Sequence, residues 1–161
     1  MTNNTTKINE LFTENYNSQI LFEQYKLYVE MANNVSNRRE NTNKFYVSLI
    51  SLLITIIVII NSLTQELQIL IFPITTLIPI CYLWMKNIES YSTLNKGKFS
   101  VINEIENKLP AKGFTIECDL MTLYNYKELT KVEKKVPTII IGLAIVSIIL
   151  IILIQKGSGI F

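Results

Sequence analysis

The sequence predicts an all-α membrane protein with three transmembrane helices and a cytoplasmic helical region. Of its 161 residues, 49% are hydrophobic and only 17% are charged. The apolar residues are concentrated in three 19-residue segments that contain no Asp, Glu, Lys or Arg, namely residues 45–63, 67–85 and 136–154. As a helix, each segment would be roughly 28 Å long, which is close to the hydrocarbon thickness of a bilayer.

The basic residues indicate how the spans are oriented. Of the 15 Lys and Arg residues, 14 lie in residues 1–44 and 86–135, and the short link between the first two spans has none. Because positive charges are retained on the cytoplasmic side, we predict that the N-terminus is inside and the C-terminus is outside. Residues 155–161 would then form an external tail. The polar N-terminus predicts that the first span, not a cleaved leader, directs insertion.

An amphipathic pattern begins at residue 18, after an Asn- and Thr-rich segment, residues 1–17, that is expected to form a loose arm. Apolar side chains then recur at 4-3-4-3 spacing, which predicts a helix. Since neither Gly nor Pro occurs before residue 44, the simplest interpretation is one helix that includes cytoplasmic residues 18–44 and continues into the first span. A lone helix cannot bury this seam, so it must pack against residues 86–135, against another copy of the chain, or against both. The seam consists of Leu21, Tyr25, Tyr28, Ala32 and Val35.

The second cytoplasmic segment, residues 86–135, begins with a predicted helix over residues 87–109, which Pro110 would end. Residues 114–119 alternate apolar and polar side chains, as in a short strand or an extended link. Candidate contact residues lie on the apolar face of this predicted helix and on the seam of the helix that begins at residue 18. They would either hold the cytoplasmic region together or contact an oligomer partner or a trigger. These candidates are Leu21, Tyr25, Tyr28, Tyr91, Phe99 and Ile102.

The third span is preceded by the sequence T-K-V-E, Thr130 to Glu133, which is a capping-box pattern. It predicts a helix that starts near Lys131 and enters the membrane at residue 136, with a kink at Pro137. Pairs of basic residues flank the spans and are candidates for binding anionic lipid headgroups, although a role in orientation alone would also explain them. These residues are Arg38, Arg39, Lys134 and Lys135.

The first span carries a stripe of hydroxyl groups, which we call the hydroxyl stripe. Its members are Ser48, Ser51, Thr55 and Ser62. Their spacing places them on one side of a helix. Helix–helix packing in lipid would explain the stripe, because Ser and Thr can bond to a carbonyl one turn earlier and small polar residues line such contacts. Alternatively, the stripes of several copies would together surround a pore.

The sequence shows no pattern typical of an enzyme or a metal site. It has no His, and its five Gly residues form no phosphate-binding loop. We therefore predict no catalytic residue, no metal and no cofactor. The net charge of +2 does not favour nucleic acid. Residues 86–135 hold nine Lys, seven acidic residues and no Arg, which is a poor clamp for a nucleotide phosphate.

Three segments, Tyr25–Arg39, Trp84–Pro110 and Tyr126–Pro137, are similar to small bacterial integral-membrane proteins of anti-phage defence, such as the ring-interacting pore proteins of staphylococci. The resemblance covers most of residues 23–137. It implies a protein of the bacterial plasma membrane whose homo-oligomerisation is templated by phage portal or small terminase rings, forming a pore that causes abortive infection. Two alternatives remain open: a membrane anchor or accessory subunit of a separate effector, and a nucleotide-gated membrane effector.

Overall fold

The computed structural model describes residues 17–64, 66–124 and 128–158. All regular secondary structure within these residues is helical, and no strand occurs among them. The described residues form five α-helices: α1 Ser18–Leu63, α2 Ile71–Glu106, α3 Gly113–Leu123, α4 Leu129–Glu133 and α5 Lys135–Ser158. Three stretches are long and apolar enough to cross a membrane: Ser18–Leu63, Leu67–Glu106 and Leu129–Gly157. The predicted all-α membrane fold is confirmed.

Helix α1 is a single helix of 46 residues. Its start is explained by Asn17, whose side-chain Oδ1 accepts a hydrogen bond from the backbone amide of Gln19 at 2.9 Å. Asn at this position satisfies one of the amides that a helix start leaves without a partner. At 1.5 Å per residue the helix is about 69 Å long, roughly twice the thickness of a bilayer core. The rest of the predicted N-terminal arm lies outside the described residues.

Helix α2 accommodates two prolines without interruption. It follows a 3-10 turn, Leu67–Leu70. Pro73 lies in the first turn of α2, where backbone amides have no hydrogen-bond partner within the helix, so the missing amide of proline is tolerated. Pro79 lies inside the helix, which nevertheless continues through Gly97 and ends at Glu106, before Pro110 is reached.

Residues 114–119 lie in helix α3, so both sequence-based alternatives, a strand and an extended link, are wrong. The cause is a side chain from another helix. The carboxylate of Glu106 accepts hydrogen bonds from the backbone amides of Phe114 and Thr115, each at 3.0 Å. These are amides of the first turn of α3, which would otherwise lack partners. A carboxylate at the end of the preceding helix therefore stabilises a helix that local alternation did not predict.

The predicted capping box is also wrong. Thr130 is the second residue of α4, whose N-cap is Glu128, and no side-chain cap bond forms there. The side chains of Thr130 and Glu133 instead bind Arg39 of α1. Pro137 is buried and lies in the first turn of α5, which starts at Lys135, so its missing amide is tolerated there.

The chain divides into two compact units. The first unit comprises the described parts of residues 1–38 and 91–127, and the second comprises those of residues 39–90 and 128–161. Buried side chains of the first unit include Leu21, Ala32, Val35, Ile102 and Ile105. The second unit has two apolar clusters. One contains Tyr46, Ile50, Leu77, Cys81, Trp84 and Ile88, and the other contains Leu70, Ile74, Ala144 and Ile151.

Candidate functional site

The hydroxyl stripe lies on the side of α1 that faces away from the other helices of its unit. Tyr46 and Ile50 of α1 are buried in the first apolar cluster, and Leu53 and Ile57 pack against it. At 100° per residue, the stripe is centred roughly 160° from this packed face. Its four side chains are all exposed on the single chain. Packing within one subunit therefore does not account for them.

Three hydroxyls of the stripe donate to carbonyls of their own helix. Ser51 Oγ donates to the carbonyl of Val47 at 2.9 Å, Thr55 Oγ1 to that of Ser51 at 2.9 Å, and Ser62 Oγ to that of Ile59 at 2.7 Å. These bonds satisfy the donors locally, as is common for Ser and Thr in membrane helices. The oxygen lone pairs remain able to accept from water. Whether the stripe lines a pore stays a prediction.

The first unit contains a buried carboxylate that the sequence analysis did not select. Glu106 is fully buried and accepts four hydrogen bonds. Besides the two amides of α3, Tyr25 Oη donates to it at 2.8 Å and Thr115 Oγ1 at 2.9 Å. The carboxylate thus joins α1, the end of α2 and the start of α3. Its position one turn beyond Ile102, on the same apolar face, is the sequence signal that could have indicated burial.

Hydrogen bonding controls the charge of this cluster. Burial acts to raise the pKa of Glu106, but the backbone amides of Phe114 and Thr115 and the hydroxyls of Tyr25 and Thr115 outweigh it and hold that pKa below its usual value. Burial and the adjacent carboxylate raise the pKa of Tyr25 to about 12. At neutral pH an ionised Glu106 therefore meets a neutral Tyr25. With its acceptor positions occupied, this carboxylate is suited to hold helices together rather than to act on a substrate.

The six candidate contact residues differ in how far they are buried. Leu21 and Ile102 are buried in the first unit, and Tyr25, Tyr28 and Tyr91 are partly buried. Phe99 is exposed and meets the edge of Phe114, with ring centroids 5.7 Å apart. These positions fit the alternative in which the set holds the helices of the unit together. Contact with a partner or a trigger stays a prediction.

The second unit has a network of ion pairs where α4 meets α5. Nε and Nη2 of Arg39 donate to the same oxygen of Glu133, at 2.9 and 2.6 Å, and Nη2 also donates to Thr130 Oγ1 at 3.1 Å. Nζ of Lys134 lies 2.6 Å from Glu89 of α2. Two consecutive residues, Glu133 and Lys134, therefore bind α1 and α2 respectively. We call this set the junction network.

The junction network changes the interpretation of the four candidates for headgroup binding. Arg39 and Lys134 have carboxylate partners within the chain, whereas Arg38 and Lys135 are exposed. The hydrogen bonds from Lys134 and Lys86 hold the pKa of Glu89 below its usual value, so this carboxylate stays ionised. Arg39 and Lys134 are thus explained by internal pairing, which sequence spacing could not reveal.

Polar side chains also connect α1 to α2. Nε1 of Trp84 donates to Asn43 Oδ1 at 2.8 Å, and Nδ2 of Asn87 donates to Tyr46 Oη at 2.7 Å. The rings of Tyr46 and Trp84 are stacked with centroids 5.8 Å apart. Aromatic groups with one apolar side and one polar handle are enriched where a membrane meets water.

These features define a multi-pass helical membrane protein. The model of the octameric membrane protein family (8xMP) matches residues 22–154, and the chain belongs to this family. Membership supports a homo-oligomer in a membrane. No curated protein and no solved structure matches the chain. Among the described residues, no group of His, Cys, Asp or Glu is arranged to hold a metal ion.

Proposed function

We propose that copies of this chain assemble into a pore across the bacterial plasma membrane and that the pore is an anti-phage effector causing abortive infection. The observation that carries the pore is the hydroxyl stripe, which is exposed on the face of α1 opposite its packed face. In a homo-oligomer, converging stripes would provide a wall that can accept hydrogen bonds from water.

An octamer would give such a pore a definite size. Eight helices whose neighbours are about 10 Å apart stand on a circle of about 13 Å radius. Subtracting about 5 Å for each helix leaves an opening of about 8 Å radius. An opening of this size passes hydrated ions and small metabolites, and their loss would stop an infected cell.

The proposed trigger is a phage protein that forms rings, either portal or small terminase. Support for this step comes from the resemblance of residues 23–137 to defence-associated membrane proteins. The physical reason is effective concentration. A ring presents identical sites at fixed spacing, so copies of the chain bound to it would meet far more often than free copies do. A closed oligomer requires one interface repeated around an axis, which a symmetric template favours.

The pore is tested by ion leakage from liposomes that contain the full-length chain, with and without purified portal or small terminase rings. Replacing Ser51→Leu and Thr55→Leu should reduce leakage at least tenfold while insertion is unchanged. The matched control is Thr75→Leu in α2, because Thr75 is also exposed and also donates to a carbonyl one turn earlier, at 2.7 Å. If the double variant leaks like the unmodified chain, the stripe does not line the pore.

Assembly and triggering are tested separately. Native gels of membranes taken before and during infection should show a shift from a small to a large species. A chain that stays monomeric throughout would refute the pore. A chain that forms oligomers but never leaks with either ring would instead favour a membrane anchor for a separate effector.

A further inference from the structure

A shallow, open surface groove of about 350 Å³, which we call the cavity, lies beside the junction of α4 and α5, where the third span begins. It is lined by Lys131, Lys134, Lys135, Thr138 and Ile139. Three of these five side chains are cationic. The apolar run that enters the membrane starts at Val136, immediately after the last of the lysines.

The positive charges of the cavity are only partly compensated. Lys134 is paired with Glu89 at 2.6 Å. Lys131 is 77% exposed and lies 3.8 Å from Glu128, a distance that allows only a weak interaction. Lys135 forms no ion pair with the residues that the structure describes. Lys131 and Lys135 are four residues apart, a spacing at which like charges on a helical stretch repel each other. An anion between them would relieve this repulsion.

The surroundings of the cavity add to the positive potential. The polar ends of the second unit, residues 39–44, 86–90 and 128–135, contain six basic and four acidic residues. Each Lys or Arg near an anionic membrane surface contributes to attraction for its lipids. The N-terminus of α5, a helix of 24 residues, carries a partial positive charge of its own.

The cavity is cationic at one end and apolar at the other. Ile139 is 59% exposed and lies one turn beyond Lys135, in the direction of the apolar run. Thr138 Oγ1 already donates its proton to the carbonyl of Lys134 at 2.7 Å. The hydrogen-bond donors for an anion are therefore the ammonium groups of the lysines. A ligand that combines a phosphate with an acyl chain matches both ends, whereas a free phosphate matches only one.

We propose that this cavity binds an anionic phospholipid, with its headgroup phosphate held by Lys131 and Lys135 and an acyl chain lying along Ile139. The site does not depend on pore formation. The proposed site also differs from the set of headgroup candidates predicted from the sequence. Arg39 and Lys134 belong to that set but are paired with carboxylates of the chain, and Lys131 belongs to the proposed site but not to that set.

The test measures the affinity of the full-length chain in detergent for dioctanoyl phosphatidylglycerol, for dioctanoyl phosphatidylcholine and for inorganic phosphate, by native mass spectrometry. We expect tighter binding of phosphatidylglycerol. Replacing Lys131→Gln and Lys135→Gln should weaken it about 30-fold, and each single change about fivefold. Replacing Lys131→Arg and Lys135→Arg together should retain binding, because both positive charges are kept. The control is Lys156→Gln, an exposed lysine in the last turn of α5.

Two results would overturn the proposal. One is a Gln double variant that keeps the preference for phosphatidylglycerol over phosphatidylcholine. The other is inorganic phosphate binding as tightly as phosphatidylglycerol, which would make the ligand a free anion. If the Gln double variant melts at a lower temperature than the unmodified chain without lipid, the two single Gln variants are compared instead. A single variant that keeps the full preference for phosphatidylglycerol over phosphatidylcholine would then overturn the proposal.

Discussion

The ion pair between Arg39 and Glu133 should contribute measurably to stability, and a double-mutant cycle can isolate its contribution. Arg39→Met keeps the apolar stem and Glu133→Gln keeps the side-chain shape. Each single variant removes one charge of a pair joined by two hydrogen bonds, at 2.9 and 2.6 Å. The remaining charged group would then lie in a largely closed site without its counter-charge.

The magnitude follows from burial. The two side chains are 12% and 19% exposed. Removing one partner of a fully buried pair costs about 3–5 kcal/mol, whereas exposed pairs contribute about 0–1 kcal/mol. For this nearly buried pair we expect each single change to cost about 2–3 kcal/mol, with a coupling energy of about 2 kcal/mol.

The chain supplies a matched control for this cycle. Lys44 and Glu40 also pair at 2.6 Å, but their side chains are 68% and 63% exposed. Their coupling should be about 0.5 kcal/mol or less. Both cycles can be measured by unfolding in mixed micelles of increasing SDS content, followed by circular dichroism. An Arg39–Glu133 coupling no larger than that of the control would refute the argument that burial strengthens the pair.

Further predictions concern the buried carboxylate and the single tryptophan. Glu106→Ala should accelerate hydrogen exchange of residues 113–123, because the first amides of α3 lose their acceptor. The control Glu104→Ala removes a half-exposed carboxylate and should leave this exchange unchanged. Because the folded-state pKa of Glu106 is lowered, its stabilisation is present above the unfolded pKa of about 4.5 and is lost as pH falls through the folded value. Melting temperatures of the unmodified chain should therefore fall on acidification more steeply than those of Glu106→Gln, and equal slopes would contradict this. Asn43→Leu should cost about 1–3 kcal/mol and shift the emission of Trp84, because the indole N–H loses its partner. An unchanged spectrum would count against that bond.

Features that depend on one segment alone could be predicted from the sequence. The three spans follow from apolar runs that are long enough to cross a bilayer, whatever the rest of the chain does. The continuity of α1 follows from the lack of Gly and Pro between residues 18 and 63. The burial of Leu21, Ala32 and Val35 follows from their helical spacing, because a seam of this kind must be covered.

Features that depend on a side chain of another helix could not be predicted. Alternation in residues 114–119 suggested extended structure, but Glu106 binds the amides that start a helix there. The Thr130–Glu133 pattern fits a capping box, but Arg39 binds both side chains, and two charge-assisted hydrogen bonds from its guanidinium to one oxygen of Glu133 replace the local cap. In both cases a charged side chain from another helix decided the local structure.

The two cysteines differ completely in accessibility, since Cys81 is fully buried and Cys118 is exposed on α3. A maleimide reagent should therefore modify the native chain at one position only. Trp84 is the single tryptophan, so it can serve as an intrinsic fluorescence donor. Energy transfer from Trp84 to a dye on Cys118 can report conformational change on adding a phage ring, without any amino-acid substitution in the chain.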